Sequence, residues 1–177
     1  MIMASVYIAA FEVLKISIID RIKNFYTFGF DENGEIVEPD YQSKVLVKDK
    51  SVLYTSLKWL KESEAISDDD IDKFNQAKEY RNLIAHEIAR LFMDGLPSDL
   101  PERFNDMVLL LDKIERWWIV NYEIPLNPEL TDKDIIEDEI IPGPIASLQM
   151  MVKVALGSDE EANYFINELK KAWMEHH

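Results

Sequence analysis

The sequence predicts an all-α fold: a helical bundle of four core helices followed by C-terminal helices, with one small β-hairpin inserted. Three observations lead there. Apolar residues recur at steps of three and four over most of the chain. Helix-start and helix-stop residues, such as Ser67 and Gly95, bracket those stretches. One strong hairpin signal, Asn33-Gly34, stands alone between short apolar runs. With 177 residues, 47% of them hydrophobic and 11% aromatic, the chain can close one core, so a single domain is expected over residues 1–177.

The first helix covers Ala4 to about Asn24, with Val6, Ala9 or Ala10, Val13, Ile16 or Ser17, and Ile19 or Asp20 at helical steps. It is apolar on more than one face, as a central bundle helix must be. Glu12 sits amid this surface. Either it finds a cationic or hydrogen-bonding partner, or it stands as an exposed acid beside Lys15. Met1 to Phe11 is apolar, but no basic residue precedes it, no small-residue cleavage site is clear, and Glu12 and Lys15 interrupt it. The run falls short of the roughly 18 residues a bilayer span needs. A soluble, cytoplasmic protein with no membrane association is expected.

Residues about 25–49 form the insertion. Asn33-Gly34 lies between Phe28–Phe30 and Ile36–Val37, Pro39 ends regular structure, and Val45–Val47 reads as a third short extended piece. A second helix runs from Ser51 to about Glu64 with Leu53, Leu57 and Leu60 on one stripe and Trp59 beside it. Ser67 opens the third, where its hydroxyl caps free N–H groups and Asp68, Asp69 and Asp70 favour the positive end of the dipole. That helix passes through Phe74, Ala77, Tyr80, Ile84, Ile88 and Leu91 and stops near Asp94-Gly95. Pro97 and Pro101 bracket a loop. The fourth helix, about Glu102 to Asn121, turns Met107, Leu110 or Leu111, Ile114 and Trp117 or Trp118 inward.

Beyond Pro125 an acidic loop, Glu129 to Glu139, leads to Pro142-Gly143-Pro144 and a helical extension over about 140–177. It holds two helices, Ile145–Leu156 and Asp159–Met174, the second opened by a capping box of Ser158 and Glu161. His176 and His177 carry no functional weight, since a terminal pair also marks a purification tag.

Composition narrows the chemistry. No cysteine is present, which removes disulfides, thiolate metal sites and cysteine nucleophiles. None of the five glycines builds a phosphate-cradling loop, so P-loop and Rossmann enzymes are excluded. Asp68–Asp70 and Glu137–Glu139 offer oxygen ligands, yet acidic runs are usually solvated caps and loops. Asp31-Glu32-Asn33-Gly34 has its glycine at the fourth position, where a calcium loop needs it at the sixth. No metal or other cofactor is expected.

His86 is the one internal imidazole, the side chain suited to proton transfer near neutral pH. On a helical wheel with Arg81 at zero, Ala85 falls near 40°, Ala89 near 80°, Asn82 near 100° and His86 near 140°, all approximate. Tyr80, Ile84, Ile88 and Leu91 fall at roughly 260–340°, on the opposite side. Arg81, Asn82 and His86 therefore share a face, with two alanines leaving room for a close approach. Asn82 is spaced i, i+4 from His86 and can orient its ring. The plainer alternative is a solvated helix face whose Arg81 pairs with Glu79 or with a neighbouring helix.

The segment Arg81-Asn82-Leu83-Ile84-Ala85-His86 resembles the R-x-x-x-x-H motif, in its R-N-x-x-A-H form, of the HEPN family. The likeness covers Lys78 to Arg90, and the helix order agrees elsewhere. It implies a helical bundle that dimerises and brings two motifs into one cleft. It further implies a metal-independent endoribonuclease, often a toxin or antiviral-defence effector, with Arg81 and His86 at the catalytic positions and Asn82 at the polar position after the arginine. Toxin members that carry a modified tyrosine two residues after the histidine differ from this chain, which has Ile88 there. Other members are non-catalytic protein- or nucleotide-binding modules.

The chemistry stands without the family. Attack by an RNA 2′-hydroxyl needs a base, an acid and a cation for the crowded phosphate. One histidine per chain cannot be acid and base at once, and a twofold homodimer supplies a second. Arg81 binds phosphate by bidentate contacts, His86 moves the proton, Asn82 holds or polarises, and Lys78 and Arg90 add a local positive patch for RNA. Against this stands the net charge of −15, from 34 acidic and 19 basic residues, which repels a polyanion and calls for a local cationic site or a partner such as an antitoxin or regulatory protein. The rival reading is a helical dimer used for interaction, with Trp59, Trp117, Trp118 and Trp173 at its interface.

Overall fold

The computed structural model describes residues 2–32, 34–130 and 135–158, apart from the side chain of Ile88. Asn33, the last expected helix with its Ser158–Glu161 box, Trp173 and the two terminal histidines lie outside the described residues or depend on residues that do.

The fold is predominantly helical with one antiparallel hairpin. Helix α1, Ile2–Phe25, is apolar around most of its circumference because neighbours surround it. It packs on α2 (Val52–Glu62), α3 (Asp68–Asp94), α4 (Leu100–Trp118) and α6 (Gly143–Leu156). Tyr7, Leu14, Ile18 and Ile22 of α1 are fully buried against Leu57 and Leu60 of α2, Phe74 and Ile84 of α3, and Leu111 and Ile114 of α4. Each such side chain contributes about 1.5–3 kcal/mol when removed from water. By length and composition alone, Ile2–Phe25 and Glu137–Leu156 are apolar enough to cross a membrane. For α1 the core contacts account for that apolarity.

Strands β1 (Thr27–Asp31) and β2 (Gly34–Val37) form the expected hairpin. Gly29 pairs with Ile36, Phe30 with Glu35 and Asp31 with Gly34, and an irregularity between Thr27 and Gly29 sets off Phe28. Gly34 has φ +117°, open to glycine and strained for other residues. Lys23 of α1 pairs with Glu35 and ties the hairpin to the bundle. Phe28 and Phe30 remain exposed.

The third extended piece expected at Val45–Val47 is helical instead: Tyr41–Val45 is a π-turn and Leu46–Lys48 a 3₁₀ turn. Tertiary packing overrides the strand preference of valine here. Tyr41 and Val45, one turn apart, are both buried, and the Val45 carbonyl accepts a hydrogen bond from Thr55 at 3.1 Å. The fourth helix begins at Leu100 with Pro101 in its first turn, where the missing N–H costs nothing. After Trp118 it continues as a π-turn, Ile119–Glu123, and the short α5, Ile124–Leu126, so helical structure runs past the expected end near Asn121 and through Pro125. Phe25, Trp59, Trp117, Trp118 and Tyr122 pack together beside it, with Trp59 and Trp118 stacked at 5.7 Å between ring centroids.

Candidate functional site

Helix α3 is anchored at its start as its sequence dictates. Ser67 accepts from the Asp70 N–H at 3.3 Å, and its own N–H donates to the Asp70 carboxylate at 2.8 Å, a reciprocal cap that also holds Lys113 of α4 at 2.5 Å. Burial opposes ionisation of Asp70, but Lys113 and Ser67 hold its carboxyl below the usual range. One and two turns on, Phe74 stacks on Phe11 at 5.6 Å, and the Tyr7 hydroxyl donates to the Ala77 carbonyl at 3.3 Å. Burial pushes the Tyr7 phenol well up, so it remains a neutral donor. Tyr80 donates to Asp99 just ahead of α4. These contacts, with fully buried Ile84, fix the rotation of α3 and thereby set which residues face outward.

Arg81 is half-buried at the α1–α3 junction. Its Nη2 donates to Glu12 at 2.8 Å, its Nη1 to the Asn82 side-chain oxygen at 3.3 Å, and the guanidinium carbon stands 5.9 Å from the centre of the Phe11 ring. Its Nε is buried without a hydrogen-bond partner among the described residues. Glu12 also accepts from Lys15 at 3.0 Å. Lys15 first, and Arg81 after it, outweigh partial burial and hold the Glu12 carboxyl below its ordinary range. Both outcomes open for Glu12 on the sequence are thus realised together: it flanks Lys15 and it pairs with Arg81 across helices. The partner of Arg81 is the neighbouring helix and not Glu79.

His86 is exposed on the same helix, and its ring makes no hydrogen bond or ion pair with a described residue. Asn82 directs its oxygen to Arg81, so its contact in this structure is with the arginine and not with the imidazole expected from the i, i+4 spacing. Ala85 and Ala89 are exposed, as are Phe92 and Met93 further along. Immediately after His86 the helix departs from helical geometry at Glu87, with φ −115° and ψ 21°, so two helical segments meet there. Neither proline nor glycine stands at the kink, and no local sequence signal marks it.

The positive patch expected from Lys78, Arg81 and Arg90 is largely neutralised. Arg90 pairs with Glu87 at 2.5 Å and reaches Asp94 at 4.0 Å. Lys78 meets no carboxylate among the described residues: its ammonium lies 4.7 Å above the Tyr54 ring and donates to the Tyr54 hydroxyl at 3.2 Å. Among the described residues, no three histidine, aspartate or glutamate side chains gather in a group that could hold a metal ion.

A second polar centre escaped sequence reasoning. Glu115 of α4 is 1% exposed and accepts from Ser17 at 2.5 Å and from Arg21 Nη2 at 2.5 Å. Arg21 also reaches Glu123 at 2.7 Å, and Glu115 is the chief reason its guanidinium is held above its ordinary pKa. The signal was the spacing: Leu111, Glu115 and Trp118 share one helical stripe, which places the acid inward. Ser17, Asp20, Arg21, Glu115 and Ser147 line a cavity of about 540 Å³ with a mixed apolar wall. Its wall contains none of Arg81, Asn82 and His86. Comparison with protein-family models, with curated proteins and with solved structures finds no match to this chain.

Proposed function

We propose that this chain is a metal-independent endoribonuclease of the HEPN kind that works as a homodimer in the cytoplasm, with Arg81, Asn82 and His86 of each copy facing one cleft. The observation that carries the reading is the division of labour on α3. Arg81 is gripped by two partners in a half-buried seat, while His86, five residues on, is exposed with no partner among the described residues. A fixed guanidinium suits a phosphate, and an unengaged imidazole suits proton transfer. The two lie apart on the helix, so a twofold mate must bring the second imidazole to the leaving oxygen. Exposed Ala85, Ala89, Phe92 and Met93 offer a small-residue and apolar surface for that approach.

The step is a transesterification. A His86 imidazole takes the 2′-hydroxyl proton, the 2′-oxygen attacks phosphorus, Arg81 holds the charge that gathers on the phosphoryl oxygens, and the mate's imidazolium protonates the departing 5′-oxygen. Products are a 2′,3′-cyclic phosphate and a 5′-hydroxyl. Purified protein should cleave single-stranded RNA in excess EDTA, and His86→Ala should reduce cleavage by about 10²–10⁴-fold, the usual worth of a general acid–base group, with the oligomer intact. Equal cleavage by that variant would end the proposal.

A second reading is a non-catalytic dimer that binds protein or nucleotide, and the charge pairing favours it: Arg81 and Arg90 both meet carboxylates in a chain of net charge −15. Under that reading EDTA-treated protein leaves RNA uncut and His86→Ala leaves partner binding unchanged. Any antitoxin or regulatory protein would act on either form.

A further inference from the structure

The ion pairs of the described residues follow one pattern with one departure. Lys44, Lys48, Lys58, Lys61 and Lys113 each have a carboxylate to themselves, and Arg21, Arg90 and Arg103 each meet two or more. Lys15 and Arg81 instead share a single carboxylate, that of Glu12, at 3.0 and 2.8 Å. The trio therefore carries one net positive charge. Lys15 is 42% and Arg81 33% exposed, so both cations reach solvent.

We propose that α1 supplies half of a phosphate-binding site: Lys15 contacts an RNA backbone phosphate beside Arg81, and Glu12 is the positioning residue that holds both cations in register. The proposal rests on the endoribonuclease reading for the identity of its anion. Donor counting supports it. A guanidinium carries five N–H protons and an ammonium three. Glu12 and Asn82 engage Nη2 and Nη1 of Arg81 once each, which leaves a proton on each terminal nitrogen. Lys15 gives one proton to Glu12 and keeps two. Each cation thus keeps donors that Glu12 does not occupy. The nearest further cation on α3, Lys78, lies one turn before Arg81 and meets no carboxylate among the described residues; its ammonium sits over the Tyr54 ring and donates to the Tyr54 hydroxyl.

The probe is a fluorescein-labelled, uncleavable 2′-O-methyl oligonucleotide, read by anisotropy over a KCl series. Lys15→Gln should weaken binding about tenfold at low salt and flatten the log–log salt slope by about 0.7, the value of one lost contact on a single strand, while Lys15→Arg restores both. In cleavage of unmodified RNA, Lys15→Gln should raise KM with kcat unchanged. Glu12→Gln should lower kcat without raising KM, and Glu12→Asp should recover part of the loss, a split that a merely packing role would not produce. Wild-type affinity and slope in Lys15→Gln, or no binding of the probe by the wild type, overturns the phosphate site; an unchanged kcat in Glu12→Gln overturns the positioning role. Binding that depends on Lys15 without any cleavage leaves the site standing and removes the nuclease reading. Cleavage with an unaltered KM in Lys15→Gln does the reverse.

Discussion

Helix α1 sends an arginine–glutamate contact to each of two neighbours, and the two contacts could hardly differ more. Toward α4, Glu115 is sealed from water and saturated, taking Arg21 and Ser17 while Arg21 reaches on to Glu123. Toward α3, Glu12 and Arg81 are each about one-third exposed, and Arg81 keeps protons to spare. The lesson is that residue types do not separate scaffold from site. Burial and unused hydrogen-bonding capacity do. A fully occupied buried pair specifies how helices fit, whereas a half-open pair presents a charge in fixed orientation to something arriving from solvent.

Breaking the buried contact should give the larger effect. Arg21→Ala leaves the Glu115 carboxylate inside without its cation and should lower stability by about 3–5 kcal/mol, read as a fall in the urea midpoint. A loss near zero would mean that water or another cation reaches Glu115 and that the two contacts are alike after all. Ser17→Ala removes one hydrogen bond to the charged acid while Arg21 remains, and should cost about 1.5–3 kcal/mol in the same titration.

Glu12→Gln sharpens the comparison from the other side. An open ion pair is worth at most about 1 kcal/mol, so the urea midpoint should barely move even as turnover changes. The pH dependence of that small term has a definite sign. The Glu12 carboxyl is held below its ordinary value in the folded chain, so its contribution is present above the unfolded value and disappears as pH falls through the folded one. Wild type and Glu12→Gln should therefore differ slightly in stability at neutral pH and converge in acid. Divergence on acidification would contradict the assignment of charge at this site.

Much of the helix that carries the candidate site was legible in the sequence. Ser67 with Asp70, the stripe through Phe74, Ala77, Ile84 and Leu91, and the stop at Gly95 are local signals, and each appears where the 3.6-residue period and cap chemistry place it. The expectation that Arg81, Asn82 and His86 share a helix face rests on the same period; in the structure Arg81 turns to Glu12 of α1 while His86 is exposed. The kink at Glu87 was not legible, because no residue there forces it and only the packing around the two helical segments can select that geometry. The sequence favours an extended piece at Val45–Val47 because valine carries a strand preference, and the burial of Tyr41 and Val45 outweighs it.

By itself, then, the order of residues determined the long helices α1 to α4 and the hairpin, since periodicity, capping and turn chemistry act over a few neighbouring residues. Tertiary structure alone decided that Glu12 lies under Arg81 from 69 positions away, that Asn82 serves the arginine, and that Glu115 is buried and satisfied by Arg21. Those pairings depend on how far each helix is rotated and slid when the shared core closes, a quantity no local stretch of sequence encodes.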